Sequence, residues 1–100
     1  GAEIKKRVYF TVKEVNKSEH MHATLPSGAF YVFPTVMLGK LDTKDDKEFV
    51  QKLLLEKFVQ VTRGSGFGMP GHIRIVALPP TDVLGEAIER INAFCNEHAR

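Results

Sequence analysis

Two short segments constrain the fold of this chain more than any other part of its sequence. The first runs from Gly28 to Pro34 (GAFYVFP) and predicts a buried strand over 29–33, closed by the proline. The second begins about thirty residues later as the glycine-rich stretch 63–71 and leads into a predicted strand over 72–78. A third strand is predicted over 58–62 (FVQVT), directly before this nine-residue loop. The last two strands are therefore expected to be antiparallel neighbours or to be joined across a sheet edge.

Three amphipathic patterns predict helices that would cover these strands. In residues 3–17, apolar side chains recur every three or four positions, which predicts a helix. Val8, Phe10 and Val12 also alternate, so a strand remains an alternative there. Thr43 is placed to cap a second helix, with Asp45 and Asp46 in its first turn and an apolar stripe of Phe49, Val50, Leu53 and Leu54. The third helix begins after the paired prolines at 79–80. Its apolar face consists of Leu84, Ala87, Ile88, Ile91, Phe94 and Cys95.

The element order is therefore helix, strands, helix, strand, strand, helix. Each helix has one apolar stripe that the face of a sheet can cover, which predicts an α/β fold. We expect a single two-layer α/β sandwich, with a small, mostly antiparallel sheet covered by helices. No linker or internal repeat divides the 100 residues, so residues 1–100 are predicted to form a single domain.

Composition excludes several classes of function. Fourteen basic and 12 acidic side chains leave a net charge of +2, which is too small to imply a nucleic-acid or membrane partner. No signal-like segment is present, and no apolar run approaches the roughly 18–20 residues of a bilayer span. The single cysteine, Cys95, excludes an internal disulfide and favours a cytoplasmic location. On a helix's apolar face its thiol is expected to be an inert small hydrophobe.

The glycine-rich loop matches two ligand-binding patterns only in part. Gly66 to Gly71 has the glycine spacing of a dinucleotide-binding loop, but that mechanism needs a helix after the last glycine, and a strand pattern follows here. The loop also resembles the basic and aromatic strand motif of RNA-recognition domains. That motif needs aromatic residues at alternate positions, and Ser65 stands at the first of them. We therefore interpret 63–71 as a turn-rich connection.

No metal site is predicted. His20 and His22 would share one face of a strand, yet no Cys, Asp or Glu stands on that face to complete a site. Both are expected to be surface histidines. Met21 and Met37 are interpreted as packing residues.

Arg74 is the residue whose position most suggests a ligand. On the predicted strand 72–78 it shares a face with His72, Val76 and Leu78. Both faces of this strand are largely apolar, so we expect the strand to be covered on both sides. A partly buried arginine needs an anion, and its planar fork matches a carboxylate with two parallel hydrogen bonds. The pattern leaves two possibilities equally open: an internal ion pair or a ligand clamp.

Six segments in order resemble the C-terminal small domain of the class I/II (fold type I) pyridoxal-phosphate-dependent aminotransferases, of the aspartate-aminotransferase-like type. They cover almost the whole chain after a leading helix. They are Pro26 to Tyr31, Leu53 to Glu56, Val59 to Val61, the Gly-Ser-x-Phe-Gly loop at 64–68, Ile73-Arg74, and Glu86 to Ile91. One departure is Arg63, which stands where the family usually has proline before the Gly-Ser pair.

The resemblance implies a function for this domain. It would close over an amino-acid or 2-oxo-acid substrate, with Arg74 binding the α-carboxylate and Phe30 lining the site. Arg74 would then point towards a surface concavity beside the 63–71 loop. The family's Schiff-base lysine, its pyridine-facing aspartate and its phosphate-binding cup belong to a large domain that these residues do not include. The resemblance therefore implies no catalytic, cofactor-binding or metal-binding residue here, and pyridoxal 5'-phosphate only in the full-length enzyme.

The resemblance also sets expectations for assembly. The full-length enzyme of amino-acid metabolism would be a homodimer, whereas the fragment alone would be monomeric and inactive. An alternative of a different class stays open: a free-standing regulatory module in which Arg74 binds a carboxylate without catalysis.

Overall fold

The computed structural model describes residues 1–100. The chain folds into three α-helices and five short strands. The helices are α1 (Ala2–Val15), α2 (Asp46–Lys57) and α3 (Thr81–Glu97). The strands are β1 (Met21–His22), β2 (Tyr31–Val32), β3 (Thr35–Val36), β4 (Thr62–Arg63) and β5 (Ile73–Val76). The helical interpretation of the N-terminal segment is thus confirmed. None of the helices is long and apolar enough to cross a membrane.

The predicted α/β class and the antiparallel pairing are confirmed, but the sheet is divided. β1 pairs with β3, while β2, β5 and β4 form a separate three-stranded sheet in that order, and every pairing is antiparallel. An isolated antiparallel bridge between Thr35 and His72 connects the two sheets. Of the two arrangements expected for the strands that flank the glycine-rich loop, the structure has the first: they are antiparallel neighbours.

One face of the three-stranded sheet contributes to the hydrophobic core. Val32, Ile73 and Ile75 are buried there with residues of all three helices. Five of the six residues predicted for the apolar face of α3 are buried, and the sixth, Ala87, packs against the same core. Burial raises the pKa of the Cys95 thiol to about 12, which fits the predicted inert role.

The opposite face of β5 is not covered. Val76 and Leu78 are 39% and 41% exposed, which corrects the expectation that this strand is apolar because it is buried on both sides. Cross-strand neighbours share a face, and Tyr31 lies opposite Val76 in the register of β2 and β5. Arg74 lies on this open face, two residues from Val76.

Three local predictions are wrong. Asp45, not Thr43, caps α2, because its carboxylate accepts a hydrogen bond from the Glu48 N–H at 2.8 Å, whereas the Thr43 side chain is buried. Phe58 ends α2 in a left-handed conformation with φ 57°, so the strand predicted from residue 58 begins only at Thr62. Leu54, assigned to the apolar stripe of α2, is exposed.

Residues 18–37 give two further corrections. His20 is buried rather than on the surface, because its N–H donates to Ser18 and its carbonyl accepts from Met37, which folds the segment inward. His22 is exposed as expected. Met21 is in the core, but Met37 is partly exposed and is not a core residue.

Candidate functional site

The guanidinium of Arg74 lies between two aromatic rings. Its Cζ atom is 4.6 Å from the ring centroid of Tyr31 on β2 and 5.1 Å from that of Phe67 in the glycine-rich loop. These distances are within the range of cation–π attraction. The strands and the loop together thus fix the position of a positive charge.

No carboxylate of the chain pairs with Arg74. None of the salt bridges in the structure involves it, and its buried Nε atom makes no hydrogen bond. Of the two possibilities left by the sequence, the internal ion pair is therefore wrong. A buried N–H of an arginine without an acceptor is costly, since burial removes the water that would otherwise accept from it.

The two rings belong to a chain of aromatic contacts that continues to Phe30, which lines a depression beside α1. Ring centroids are 4.6 Å apart for Phe30 and Tyr31, 6.3 Å for Tyr31 and Phe33, and 5.7 Å for Phe33 and Phe67. Phe30, the predicted site-lining residue, stacks on Tyr31 and is connected to Arg74 through that ring. Tyr31 and Phe67 are the residues that directly contact the guanidinium.

Sequence reasoning missed these two direct contacts. A signal for Tyr31 exists in the alternation of side chains, because it precedes the buried Val32 and must face the other way. Phe67 has no such signal, since its position depends on the shape of the loop. The concavity expected for Arg74 beside that loop is also misplaced. The depression of about 340 Å³ that Arg74 lines is bounded by β4, β5 and the start of α3, with no residue of 64–71.

Glycines specify the shape of the loop that carries Phe67. A Cβ at Gly64 would lie 2.1 Å from the carbonyl oxygen of Met69, so no larger residue fits. Gly68 and Gly71 have φ angles of 81° and 79°, which side chains disfavour. The loop forms a 3₁₀ turn over Gly64–Phe67 and then enters β5 without a helix. This geometry supports the interpretation of 63–71 as a connection rather than a dinucleotide-binding loop.

A second basic group, His98, lies just after α3 and, unlike Arg74, has carboxylate partners. Its Nδ1 is 2.7 Å from Oδ1 of Asp42, its Nε2 is 2.8 Å from Oε1 of Glu56, and its ring centroid is 4.2 Å from that of Phe94. The pKa of His98 is raised above its ordinary value, foremost by the hydrogen bond with Glu56, with a further contribution from Asp42 and with burial acting against both. The protonated imidazole donates to both carboxylates.

The lysines of the chain do not fit a Schiff base with pyridoxal phosphate. Seven of the nine are exposed, and the other two, Lys52 and Lys57, form ion pairs with Glu48 and Glu97. A cofactor lysine works as a neutral amine in a desolvated pocket, which none of these positions provides.

Comparison with known proteins identifies the class to which this fold and site belong. The family model of aminotransferase class I and II matches residues 2–91, and the chain is therefore a member of that family. It is 43% identical over 76 residues to the aspartate aminotransferase of Bacillus subtilis, an alignment that covers 74% of this chain and 19% of that protein. It is 38% identical over 91 residues to the tyrosine aminotransferase of Dictyostelium discoideum, covering 90% and 22% respectively.

Solved structures agree with this membership. The alanine aminotransferase of Pyrococcus furiosus superposes with a TM-score of 0.89 at 39% identity, over 97% of this chain and 25% of that one. The tyrosine aminotransferase of Leishmania infantum gives 0.90 at 31% identity, over 99% and 25%. The chain thus spans about a fifth to a quarter of the length of these relatives. It corresponds to a fragment of an aminotransferase, as the sequence resemblance implied.

Proposed function

We propose that residues 1–100 form the small domain that closes over the substrate of a pyridoxal-phosphate-dependent aminotransferase, with Arg74 binding the substrate's α-carboxylate. The observation that carries this proposal is that Arg74 is held in place while no carboxylate of its own chain pairs with it. A guanidinium in that condition can accept an external carboxylate without first breaking an internal ion pair. The large domain would come from the rest of the protein.

The aromatic contacts suit this role. Tyr31 and Phe67 position the cation through ring faces, which take up none of its N–H donors. Those donors can then make two parallel hydrogen bonds to a carboxylate, the strong charge-assisted arrangement of arginine. Because the apolar rings displace water from the guanidinium, the attraction between the two charges is stronger than in bulk solvent.

The names of the relatives support a role for Arg74 that is independent of the substrate side chain. Aspartate, tyrosine and alanine aminotransferases all match this chain at 37–43% identity. The amino acids in those names share their α-amino and α-carboxylate groups and differ in their side chains. We propose that Arg74 binds the shared carboxylate and that residues elsewhere in the full-length enzyme select the side chain.

The cofactor's chemistry lies outside this chain. In this family pyridoxal phosphate activates the bonds to the α-carbon of the amino acid, and a lysine of the large domain holds it. We expect the 100-residue chain by itself to catalyse no transamination. The homodimeric full-length enzyme and the cytoplasmic location stay predictions.

Substitution of Arg74 in the full-length enzyme tests the proposal. Arg74→Lys keeps the charge but loses the bidentate fork, so we expect kcat/KM to fall by about 100-fold or more while the melting temperature changes little. Arg63→Lys is a matched control, because Arg63 is exposed and contacts neither ring of the site. The proposal is wrong if Arg74→Lys keeps the catalytic efficiency of the unmodified enzyme.

A further inference from the structure

Asp46 is a buried carboxylate that binds the glycine-rich loop. This first residue of α2 is only 3% exposed. Its Oδ2 accepts hydrogen bonds from the N–H groups of Ser65, at 2.9 Å, and Gly71, at 3.1 Å. Its Oδ1 accepts from the Ser65 hydroxyl at 2.7 Å. No lysine, arginine or histidine forms an ion pair with it.

A buried charge without a cationic partner needs other compensation. For Asp46 that compensation comes from three hydrogen-bond donors of the loop and from the positive end of the α2 dipole. Ser65 lies near the start of the loop and Gly71 at its end. A single carboxylate therefore ties together two points of the loop that are six residues apart in the sequence.

Phe67 lies between these two tied points. It follows the Ser65 contact by two residues, and its ring makes an edge contact with Phe33 and lies 5.1 Å from the Arg74 guanidinium. The Met69 N–H donates to the Gly64 carbonyl at 2.8 Å and closes the intervening turn. A continuous series of contacts thus runs from the Asp46 carboxylate through the loop to the guanidinium.

Asp46 is not needed to cap its helix. Asp45 already performs that task, with its carboxylate bonded to the Glu48 N–H. Every hydrogen bond of the Asp46 side chain goes instead to residues 19 or 25 positions away in the sequence. The two adjacent aspartates therefore have different roles: Asp45 caps the helix, and Asp46 binds the loop.

We infer that Asp46 is a positioning residue: its charge fixes the loop so that Phe67 holds Arg74 in the orientation that receives a carboxylate. The catalytic consequence rests on the proposed function of Arg74, whereas the link from Asp46 to Arg74 does not. Asp46→Asn keeps the shape of the side chain and removes its charge. Its amide oxygen can accept from both loop N–H groups only while its amide nitrogen donates to the Ser65 hydroxyl, so the charge-assisted hydrogen bonds become weaker neutral ones. The loop is then held less tightly, and Phe67 moves relative to the guanidinium.

The link is tested by NMR on the 100-residue chain, with Asp45→Asn as the control on the neighbouring aspartate. The Cζ atom of Arg74 lies 4.6 and 5.1 Å from two ring centroids, so we expect the neighbouring Nε–H proton to carry ring-current shifts from both rings. In Asp46→Asn we expect this resonance to move towards its value in unstructured peptides, and amide exchange at Ser65 and Gly71 to accelerate by about tenfold or more. In Asp45→Asn both readouts should stay unchanged, because asparagine caps a helix about as well as aspartate does. An unmoved Arg74 resonance in folded Asp46→Asn overturns the inference.

A milder substitution keeps the test decisive if Asp46→Asn does not fold. Ser65→Ala removes only the hydroxyl bond to Oδ1 and leaves both backbone bonds in place. The same Arg74 resonance should then move in the same direction by a smaller amount, and an unchanged position contradicts the link.

Kinetics of the full-length enzyme separate this inference from the proposed function. With L-aspartate, L-alanine and L-tyrosine as probes, Asp46→Asn should raise KM about tenfold for whichever amino acid the enzyme accepts, with kcat changed much less. A moved Arg74 resonance with no effect of Arg74→Lys on catalysis refutes the proposed function alone. A strong effect of Arg74→Lys with an unmoved resonance refutes the positioning role alone.

Discussion

The molecule holds two buried or half-buried basic side chains against aromatic rings, and the two differ in their carboxylate partners. His98 stacks on Phe94 and pairs with carboxylates at both ring nitrogens, at 2.7 and 2.8 Å. Arg74 lies between Tyr31 and Phe67 and pairs with no carboxylate. A cation that the chain neutralises itself stabilises the fold. One that it positions but leaves without an anion is available to a ligand.

The surroundings of the two cations reinforce this contrast. Main-chain hydrogen bonds fasten the C-terminal residues around His98, from the Asp42 N–H to the His98 carbonyl and from the Arg100 N–H to the Lys40 carbonyl, each at 2.9 Å. Arg74 instead lies on the sheet face that no helix covers. We therefore propose a structural role for His98 and a binding role for Arg74, and the predictions below perturb one region while leaving the other intact.

The largest effect on stability is expected at Gly64. Gly64→Ala places a Cβ against two backbone carbonyls, the nearer at 2.1 Å, so the loop must move. We expect the free energy of unfolding to fall by about 3 kcal/mol. Gly66→Ala is the matched control, because its Cβ would have no neighbour closer than 3.8 Å and should cost less than about 1 kcal/mol. Denaturant unfolding of both variants measures the difference, and equal losses would contradict the account of the loop.

An intermediate effect is expected at Phe67, which is 36% exposed. Phe67→Ala removes one of the two rings that hold Arg74, so the free energy of unfolding should fall by about 1 kcal/mol. In the full-length enzyme kcat/KM should fall by about tenfold, because the guanidinium loses its orientation. Phe58→Ala serves as control: this ring is 79% exposed and should change either quantity little. Equal kcat/KM of the two variants would show that Phe67 does not contribute to the site.

The smallest effect concerns the pH dependence contributed by His98. Its folded-state pKa is raised, so the stability that it contributes is fully present below the ordinary value of 6.5 and is lost as pH rises through the folded-state pKa. We expect this contribution to be no more than about 1 kcal/mol, since both carboxylates are partly exposed. His98→Gln should flatten the melting-temperature profile above pH 6.5. An unchanged slope in that variant would assign the pH dependence to another group.

Sequence pattern predicted the helices and the α/β class because both depend on local periodicity. The buried face of α3 and the antiparallel strands around the glycine-rich loop followed directly from residue spacing. No local pattern predicted the left-handed conformation of Phe58, after which β4 begins only at Thr62. The division into two sheets likewise depends on pairing between distant segments, which periodicity does not encode.

The candidate site was predictable only in part for the same reason. Arg74 stands out as a charge in an apolar strand, and the family resemblance gives it a role. Its neighbours Tyr31 and Phe67 come from segments 43 and 7 residues away in the sequence, so only the folded chain brings them together. Asp46 looked like an ordinary acidic residue in the first turn of a helix, and its contacts with Ser65 and Gly71 depend on tertiary packing.

The most direct test of the central claim is a structure of the full-length enzyme with a bound carboxylate ligand, such as its amino-acid substrate or an unreactive analogue. The account predicts that the ligand's α-carboxylate accepts two hydrogen bonds from the Arg74 guanidinium at about 2.7–2.9 Å, with Tyr31 and Phe67 still against that group. A carboxylate bound by another residue, with Arg74 paired to an Asp or Glu of the large domain, would contradict it.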